Sequence, residues 1–582
     1  MPVVARLQAN SPIFAPDLQQ LGQVFFPGGE LAIAVPEAPD DGGVSAAAPA
    51  AASAAVSGAA PAATAGTAPA AASAGDSGPA WQVTVTALPV DTGPDELPGM
   101  TAQPRPIRWR VRVEAIAPDG RRDAQEEVVA AQPDWSPRQY DHRLRRAARR
   151  LMLAVLGGLT GIAPGWGILT GVRPTKLVHD LLDRGLPMAE VRRYLAEEYR
   201  VRPDKVDLVT EVAARQRPFL RHGAGDPERY DPRAISVYIG IPYCPTICSF
   251  CSFSIYPLQE HRGELPHFLA ALHRELEIIG AAVAELGLRI ESLYLGGGTP
   301  TSPPDREFAA LLEQIERALL RGQRPREYTV EGGRPETFNR FKLDAMAAHG
   351  VTRVSVNPQT TVQATLRHLG RIHTVEKFYR AYDLVRRHPH PFVVNCDIII
   401  GLPGEGPAEV AQTLADMRRL APDNLTVHTL AVKRGSRLHG EGAGPEVLRR
   451  LTPQEAEAMV AEAAATARSL GQHPYYLYRQ KYMVGSLENV GYARPGTESL
   501  YNIQMMERRQ TVIGLGAGAT SAWFYAPANW LLKAPENPSH PGTYIARVEE
   551  LAWRKVEHLR LLFGGETLAP APRPPVGTET GF

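Results

Sequence analysis

From about residue 233 the chain alternates short β-branched runs with amphipathic stretches of helical period. The runs read "ISVYIGIP", "IESLYLGGG", "EYTVEGG", "VTRVSVNPQ", "FVVNCDIIIGLP" and "NLTVHTLAV". Between most of them, residues 264–287, 305–321, 374–387 and 408–420 carry the helical period. Strand, helix, strand at this spacing predicts a parallel sheet with right-handed crossovers. Six strands before the pattern stops predict an α/β fold around an incomplete (β/α)6 barrel over 231–445. Sites on such barrels lie at the C-terminal ends of the strands.

Other textures flank this region. "WQVTVTALPV" and "IRWRVRVEAI" alternate apolar and polar residues, the period of half-buried strands. "SPRQYDHRLRRAARRLMLAVLGGLTG" opens on Ser136-Pro137, a helix-start signal, and runs to Gly157-Gly158. These predict an N-terminal α/β region over 81–230, joined by a leader at 1–42. Between them, 43–80 is Ala/Pro/Ser/Gly-rich and reads as a disordered linker. Residues 446–565 read as mainly helical, closing with "TYIARVEELAWRKVEHLRLLF", and 566–582 as a flexible tail.

Composition narrows the function classes. A formal net charge of +1 gives no electrostatic footprint for nucleic acid. The first residues lack a basic segment followed by an apolar one, and no run of about 18 apolar residues predicts a membrane span. Four cysteines, three of them clustered, make a poor disulfide framework in 582 residues and fit a reducing cytoplasm.

That cluster, "IPYCPTICSFCSFSIYP", directly follows the first predicted barrel strand. Cys244, Cys248 and Cys251 are spaced C-x3-C-x2-C. A zinc site needs a fourth ligand, which Cys396 or a histidine would have to supply. Buried free thiols are the plainer alternative. A [4Fe–4S] cluster held by three thiolates instead leaves one iron open to a substrate or cofactor. At the next strand end stands "LYLGGGTPT". Its glycines fit either a tight βα turn or close backbone approach to a ligand.

Four further strand ends present polar side chains at the same mouth: Glu331, Gln359, Arg371 and Asp397. Singly each is an ordinary surface group. Together they offer carboxylates for hydroxyls, and an amide and a guanidinium for a ligand carboxylate. Strand alternation turns Cys396 away from the face that Asp397 presents.

The two motifs together resemble the signature of radical S-adenosylmethionine (radical SAM) enzymes, whose open iron is chelated by SAM. The order "YIGIPYCPTICSFC … GGGTPT … VEGGRPET … VSVNPQT … GRIHT … CDIIIGLPGE … NLTVHTLAVKRGS" is similar to the oxygen-independent coproporphyrinogen III dehydrogenase family. "GILTGVRPTKLVHD" and "YYLYRQKYMVGSLENVGYA" are similar to its HemZ-type branch. The resemblance covers roughly residues 165 to 525. It implies a cluster on Cys244, Cys248 and Cys251, with Tyr238, Gly297 and Glu331 contacting the cluster-bound SAM. It implies Phe250, Gly298, Thr299, Gln359, Arg371, Asp397 and Ala431 around a second SAM.

The resemblance further implies a tetrapyrrole substrate, coproporphyrinogen III, whose propionates lose hydrogen and CO2 to become vinyl groups. A reductant such as flavodoxin or ferredoxin is the implied partner. The well-studied dehydrogenases carry a further cysteine two residues after the third ligand, where this chain has Phe253. A relative that also lacks it is a haem-trafficking chaperone. For the propionates and a flat apolar wall, "PYYLYRQKYM" offers tyrosines with Arg479 and Lys481, and "VKRGS" offers Lys433 and Arg434. The alternative for the tyrosines is ordinary packing.

Overall fold

The computed structural model describes residues 3–26, 30–35, 80–90, 108–130, 135–220, 231–433, 435–440, 451–480, 483–525, 530–532 and 536–564. Almost all of the expected 43–80 linker lies outside them, as does the tail from 566. The chain divides into two compact units, Met1–Ala163 and Pro164–Phe582.

In the first unit, β1 (Val3–Ala9), β2 (Glu30–Ala34), β3 (Trp81–Pro89), β4 (Arg108–Ile116) and β5 (Arg122–Ala130) form one sheet in the order β2-β1-β3-β4-β5. Helices α1 (Ala15–Phe25) and α2 (Pro137–Thr160) pack with it around one core that includes Leu7, Leu18, Val85, Val113 and Met152. The helix start read from the sequence is present. Ser136 Oγ accepts from Gln139 N at 3.3 Å, and Gln139 Oε1 accepts from Ser136 N at 2.8 Å. The helix runs past Gly157-Gly158 to Thr160 and stops where Gly161 turns left-handed at φ 73°. Across this core the buried Asp17 carboxylate accepts from Arg145 Nε at 2.7 Å and pairs with Arg149.

The second unit begins with α3 (Pro174–Asp183), α4 (Met188–Glu198) and α5 (Pro203–Gln216). The compact units thus divide at 163/164, whereas the sequence pattern places a region boundary near 230. The reason is a shared core: Leu181, Val191, Leu195 and Val209 are buried in one cluster with the strand residues Ile235, Val237 and Leu293.

The barrel then follows the predicted order: β6 (Ala234–Ile241), α6 (Leu265–Glu285), β7 (Arg289–Gly297), α7 (Asp305–Gln314), β8 (Glu327–Glu331), α8 (Arg340–Ala348), β9 (Arg353–Ser355), α9 (Gln363–His368), α10 (Val375–Arg386), β10 (Val393–Ile400), α11 (Pro407–Leu420) and β11 (Asn424–Thr429). Strands β6 to β11 pair parallel in sequence order.

The C-terminal region is mainly helical, with α12 (Pro453–Ser469) and, later, α13 (Leu500–Glu507) and α14 (Pro541–Phe563). It also extends the sheet at both edges. Strands β12 (His473–Tyr478) and β13 (Asn489–Ala493) add antiparallel beyond β11, and β14 (Val512–Gly516) adds parallel beside β6. The order is β12-β13-β11-β10-β9-β8-β7-β6-β14.

Two buried carboxylates hold these additions in place. Glu327, at the start of β8, accepts from Ser499 Oγ at 3.0 Å and from the Leu500 and Tyr501 amides at 2.6 and 3.3 Å. A carboxylate at a helix N-terminus satisfies orphan amides and opposes the helix dipole. It thereby fixes α13, whose Tyr501 stacks on Tyr294 and Tyr238 with centroids 4.5 and 5.8 Å apart.

Glu275 on α6 accepts from Gly516 N at 2.8 Å and Tyr544 Oη at 2.7 Å, and pairs with Lys555. Glu275→Ala would leave Lys555 buried without its counter-charge. It is expected to destabilise the fold by about 3–5 kcal/mol, read as a lowered urea midpoint with an unchanged slope.

Candidate active site

The loop after β6 is fixed by its backbone. Tyr256 N donates to Pro242 O at 2.8 Å, Leu258 N to Cys244 O at 2.8 Å, and Cys251 N to Cys248 O at 3.0 Å. It is held from outside by Ser249 N on Leu369 O and Leu438 N on Ser249 O, both 3.0 Å. The end of β7 lies directly against it, with Gly298 N on Ile241 O at 2.7 Å and Thr299 N on Tyr243 O at 2.8 Å. A Cβ at Gly298 would stand 2.6 Å from Tyr243 O, and Gly297 takes φ +104°. The glycines of "GGGTPT" are thus required by close approach to the cysteine loop, and they deliver Thr299 Oγ1 to 3.2 Å from Cys244 Sγ.

Burial pushes the Cys244 thiol up to about 12 and the Cys251 thiol up to about 11. Both are protonated until a metal displaces the proton. Cations surround the same sulfurs. Arg334 Nη1 donates to Cys248 Sγ at 3.2 Å and Arg371 Nη1 approaches it at 3.8 Å. Lys433 acts electrostatically on Cys251. The cysteines also act on one another, yet among the described residues no three His, Cys, Asp or Glu side chains close in on a single ion.

Three thiols on one loop ringed by cations fit a [4Fe–4S] cluster, because thiolate charge needs hydrogen-bond donors and counter-charge when buried. Cys396 is fully buried in the core, where burial pushes its thiol well up, so it faces away from the loop as alternation predicted.

Arg334 escaped the sequence reading. It is 3% exposed, with Nη2 on Thr246 Oγ1 at 2.7 Å and Nε on Glu336 Oε1 at 2.9 Å. Its signal was available in "EGGRPE", three residues after Glu331.

Beside the loop, the strand ends enclose a cavity of ≈ 290 Å³. Of the expected residues, Phe250, Cys251, Glu331, Gln359, Asp397 and Ala431 line it. Tyr238, Gly297, Gly298, Thr299, Arg371, Cys244 and Cys248 stand outside its lining. Tyr238 lies in the tyrosine stack, where burial and then Glu331 raise its phenol. Arg371 spends Nη2 on Gly333 O and Asn357 O at 2.9 and 2.8 Å, so it faces the cysteine and the backbone.

Within the cavity, burial and then the Asp397 charge push Glu331 up to about 8. Asp397 accepts from Asn357 Nδ2 at 2.8 Å and Asn395 Nδ2 at 2.7 Å. Gln359 takes a left-handed φ of 66°, and its buried Oε1 has no partner. A strained residue with an orphaned acceptor in a cavity wall marks a ligand position.

The candidate substrate contacts divide. Tyr476, Tyr478 and Lys433 line the cavity. Tyr475 packs in a separate small core. Arg479 is 8% exposed, stands over the Trp166 ring and donates to the carbonyls of Leu169 and Ser486, so it is structural. Arg434 and Lys481 lie outside the described residues.

Residues 238–417 match the family model of the radical SAM superfamily. The HemZ protein of Bacillus subtilis, an oxygen-independent coproporphyrinogen-III oxidase-like protein, is 38% identical over 74% of this chain and 84% of its own. The chain belongs to this coproporphyrinogen III oxidase-like family of radical SAM proteins. Radical SAM membership implies a [4Fe–4S] cluster and SAM, which the cysteine loop and cavity fit. The family is not uniform in function. The haem chaperone HemW of Bacillus subtilis is 27% identical over 49% of this chain and 70% of its own. The oxygen-independent coproporphyrinogen III oxidase of Paracoccus denitrificans is 25% identical over 54% and 67%. Among the described residues no helix is long and apolar enough to cross a membrane.

Proposed function

We propose that this chain holds a [4Fe–4S] cluster on Cys244, Cys248 and Cys251 and decarboxylates the propionates of coproporphyrinogen III without oxygen. The observation that carries this reading is the single cavity joining Cys251 to Glu331, the unpartnered Gln359 Oε1, Asp397 and the Tyr476–Tyr478 wall. When bound, the cluster and SAM would supply a 5′-deoxyadenosyl radical able to take a hydrogen atom from a propionate β-carbon, and loss of CO2 then releases one electron that an external one-electron acceptor must take.

The chain's own residues then bind, orient and exclude water. Glu331, with Tyr238 and Gly297, serves the cluster-bound SAM. Phe250, Gln359, Asp397 and Ala431, backed by Gly298, Thr299 and Arg371, form the place for a second SAM. Tyr476 and Tyr478 offer flat faces to the macrocycle, and Lys433 offers a cation to a propionate. Flavodoxin or ferredoxin is the reductant this reading calls for.

Reconstituted protein given coproporphyrinogen III, SAM and a reductant under argon is expected to yield vinyl product and CO2 in step with 5′-deoxyadenosine. The second reading is a haem chaperone on the same scaffold. It is favoured by Phe253, a 72% exposed aromatic in the cysteine loop where the dehydrogenases keep another cysteine. Haem transfer without vinyl product would establish the chaperone and exclude the decarboxylase.

A further inference from the structure

One cluster in the cavity has no role in the residues carried over from the family. Tyr476 and Tyr478, two apart on β12, turn to the same side, and their rings stand 5.5 Å apart. Burial raises the phenols of both tyrosines. The Tyr478 hydroxyl reaches His428 Nδ1, at the end of β11, at 3.3 Å. All three line the cavity.

The Asp397 carboxylate beside Nε2 favours the ring proton on that nitrogen, and Nδ1 is then the acceptor for the Tyr478 hydroxyl proton. For Nε2 the nearest anionic acceptor, Asp397 Oδ2, is 3.8 Å away and already accepts from Asn357 Nδ2. That is beyond hydrogen-bond length, so an N–H donor is left for a cavity ligand.

Among the described residues lining the cavity, His428 and Lys433 are the nitrogen bases. Lys433 acts on Cys251, at the cluster side, whereas His428 stands beside Asp397. Two such groups in one cavity match a ligand bearing more than one acidic group.

We propose that His428 Nε2–H binds a carboxylate of the substrate, and that the Tyr478 hydroxyl on Nδ1 helps to set its tautomer. This deepens the decarboxylase reading and rests on it. The test is binding of coproporphyrin III, the stable oxidised form of the macrocycle, to full-length cluster-loaded protein, followed by porphyrin fluorescence. His428→Phe is expected to weaken binding about tenfold, the cost of one hydrogen bond to a charged group. Tyr478→Phe keeps the ring but frees the tautomer and is expected to weaken binding about threefold. The tetramethyl ester of coproporphyrin III should bind wild type and His428→Phe alike.

His428→Gln retains an N–H donor and is expected to recover part of the loss, which a merely structural histidine would not show. Equal affinity in wild type and His428→Phe would overturn the assignment. So would weakened SAM binding with coproporphyrin binding intact, which would give the contact to a ribose hydroxyl. Wild-type protein that binds no coproporphyrin III would remove the substrate reading itself, and the carboxylate contact with it.

Discussion

Cys248→Ser is expected to abolish the cluster and bring 5′-deoxyadenosine formation below about a thousandth of wild type, because cluster iron is held by thiolates and a serine hydroxyl is a poor replacement. Cys248 is the most heavily supported of the three sulfurs, with Arg334 at 3.2 Å and Arg371 at 3.8 Å. Removing the thiolate costs Arg334 and Arg371 one acceptor each, while their bonds to Glu336, Thr246 and the Gly333 and Asn357 carbonyls remain. The fold should survive, since the bonds that fix the loop run between backbone groups and do not use the sulfur. Iron and sulfide analysis after anaerobic reconstitution, beside a circular dichroism spectrum, checks both halves. A serine variant that keeps its iron and sulfide and still cleaves SAM would exclude this ligand set.

Glu331→Gln is expected to weaken SAM binding about 30- to 100-fold while making the empty protein more stable at alkaline pH. Both effects follow from burial. Burial, with Asp397 beside it, raises this carboxyl from 4.5 in an unfolded chain to about 8 in the fold. The folded state therefore holds the proton more tightly than the unfolded state. Its contribution to stability is complete below pH 4.5 and is lost as pH rises toward 8. At 1.36 kcal/mol per unit the loss over that window is roughly 4–5 kcal/mol.

Glutamine has no proton to lose, so the variant should overtake wild type between pH 5 and pH 8 in urea unfolding. SAM carries positive charge and selects the carboxylate, so wild-type affinity should rise with pH up to about 8 and then level off. Isothermal titration at pH 6.5, 7.5 and 8.5 reads this directly. Flat affinity across that range, matched by unaltered binding in Glu331→Gln, would remove Glu331 from the SAM site.

Much of this architecture was legible along the chain. The six barrel strands, the helices at 265–285, 375–386 and 407–420, and the capped helix after Ser136 rest on local periodicity and local capping, which act within a few residues. Cys244, Cys248, Cys251 and the glycine turn stood out for the same reason, and the structure places the two loops directly against each other. The core that α3 to α5 cover was not legible, because an amphipathic pattern does not say which neighbour it packs against. Strands β12, β13 and β14 were missed because their place at the sheet edges depends on partners from 11 to 276 residues away, most of them far along the chain.

The sequence by itself determined that this is a radical SAM barrel with three cysteines at the first strand end and polar groups at the following ones. Only the tertiary structure decided which of those groups share a cavity and which are spent elsewhere. Arg371 and Arg479 look alike in sequence as cations for a carboxylate. One is turned to a cysteine sulfur and the other to backbone carbonyls, because a buried guanidinium takes whatever acceptors the fold brings within reach. His428, which no motif marks, gains its significance from Tyr478 on a strand 50 residues away. Hydrogen-bond partners are chosen by distance in space, and the chain alone does not carry that distance.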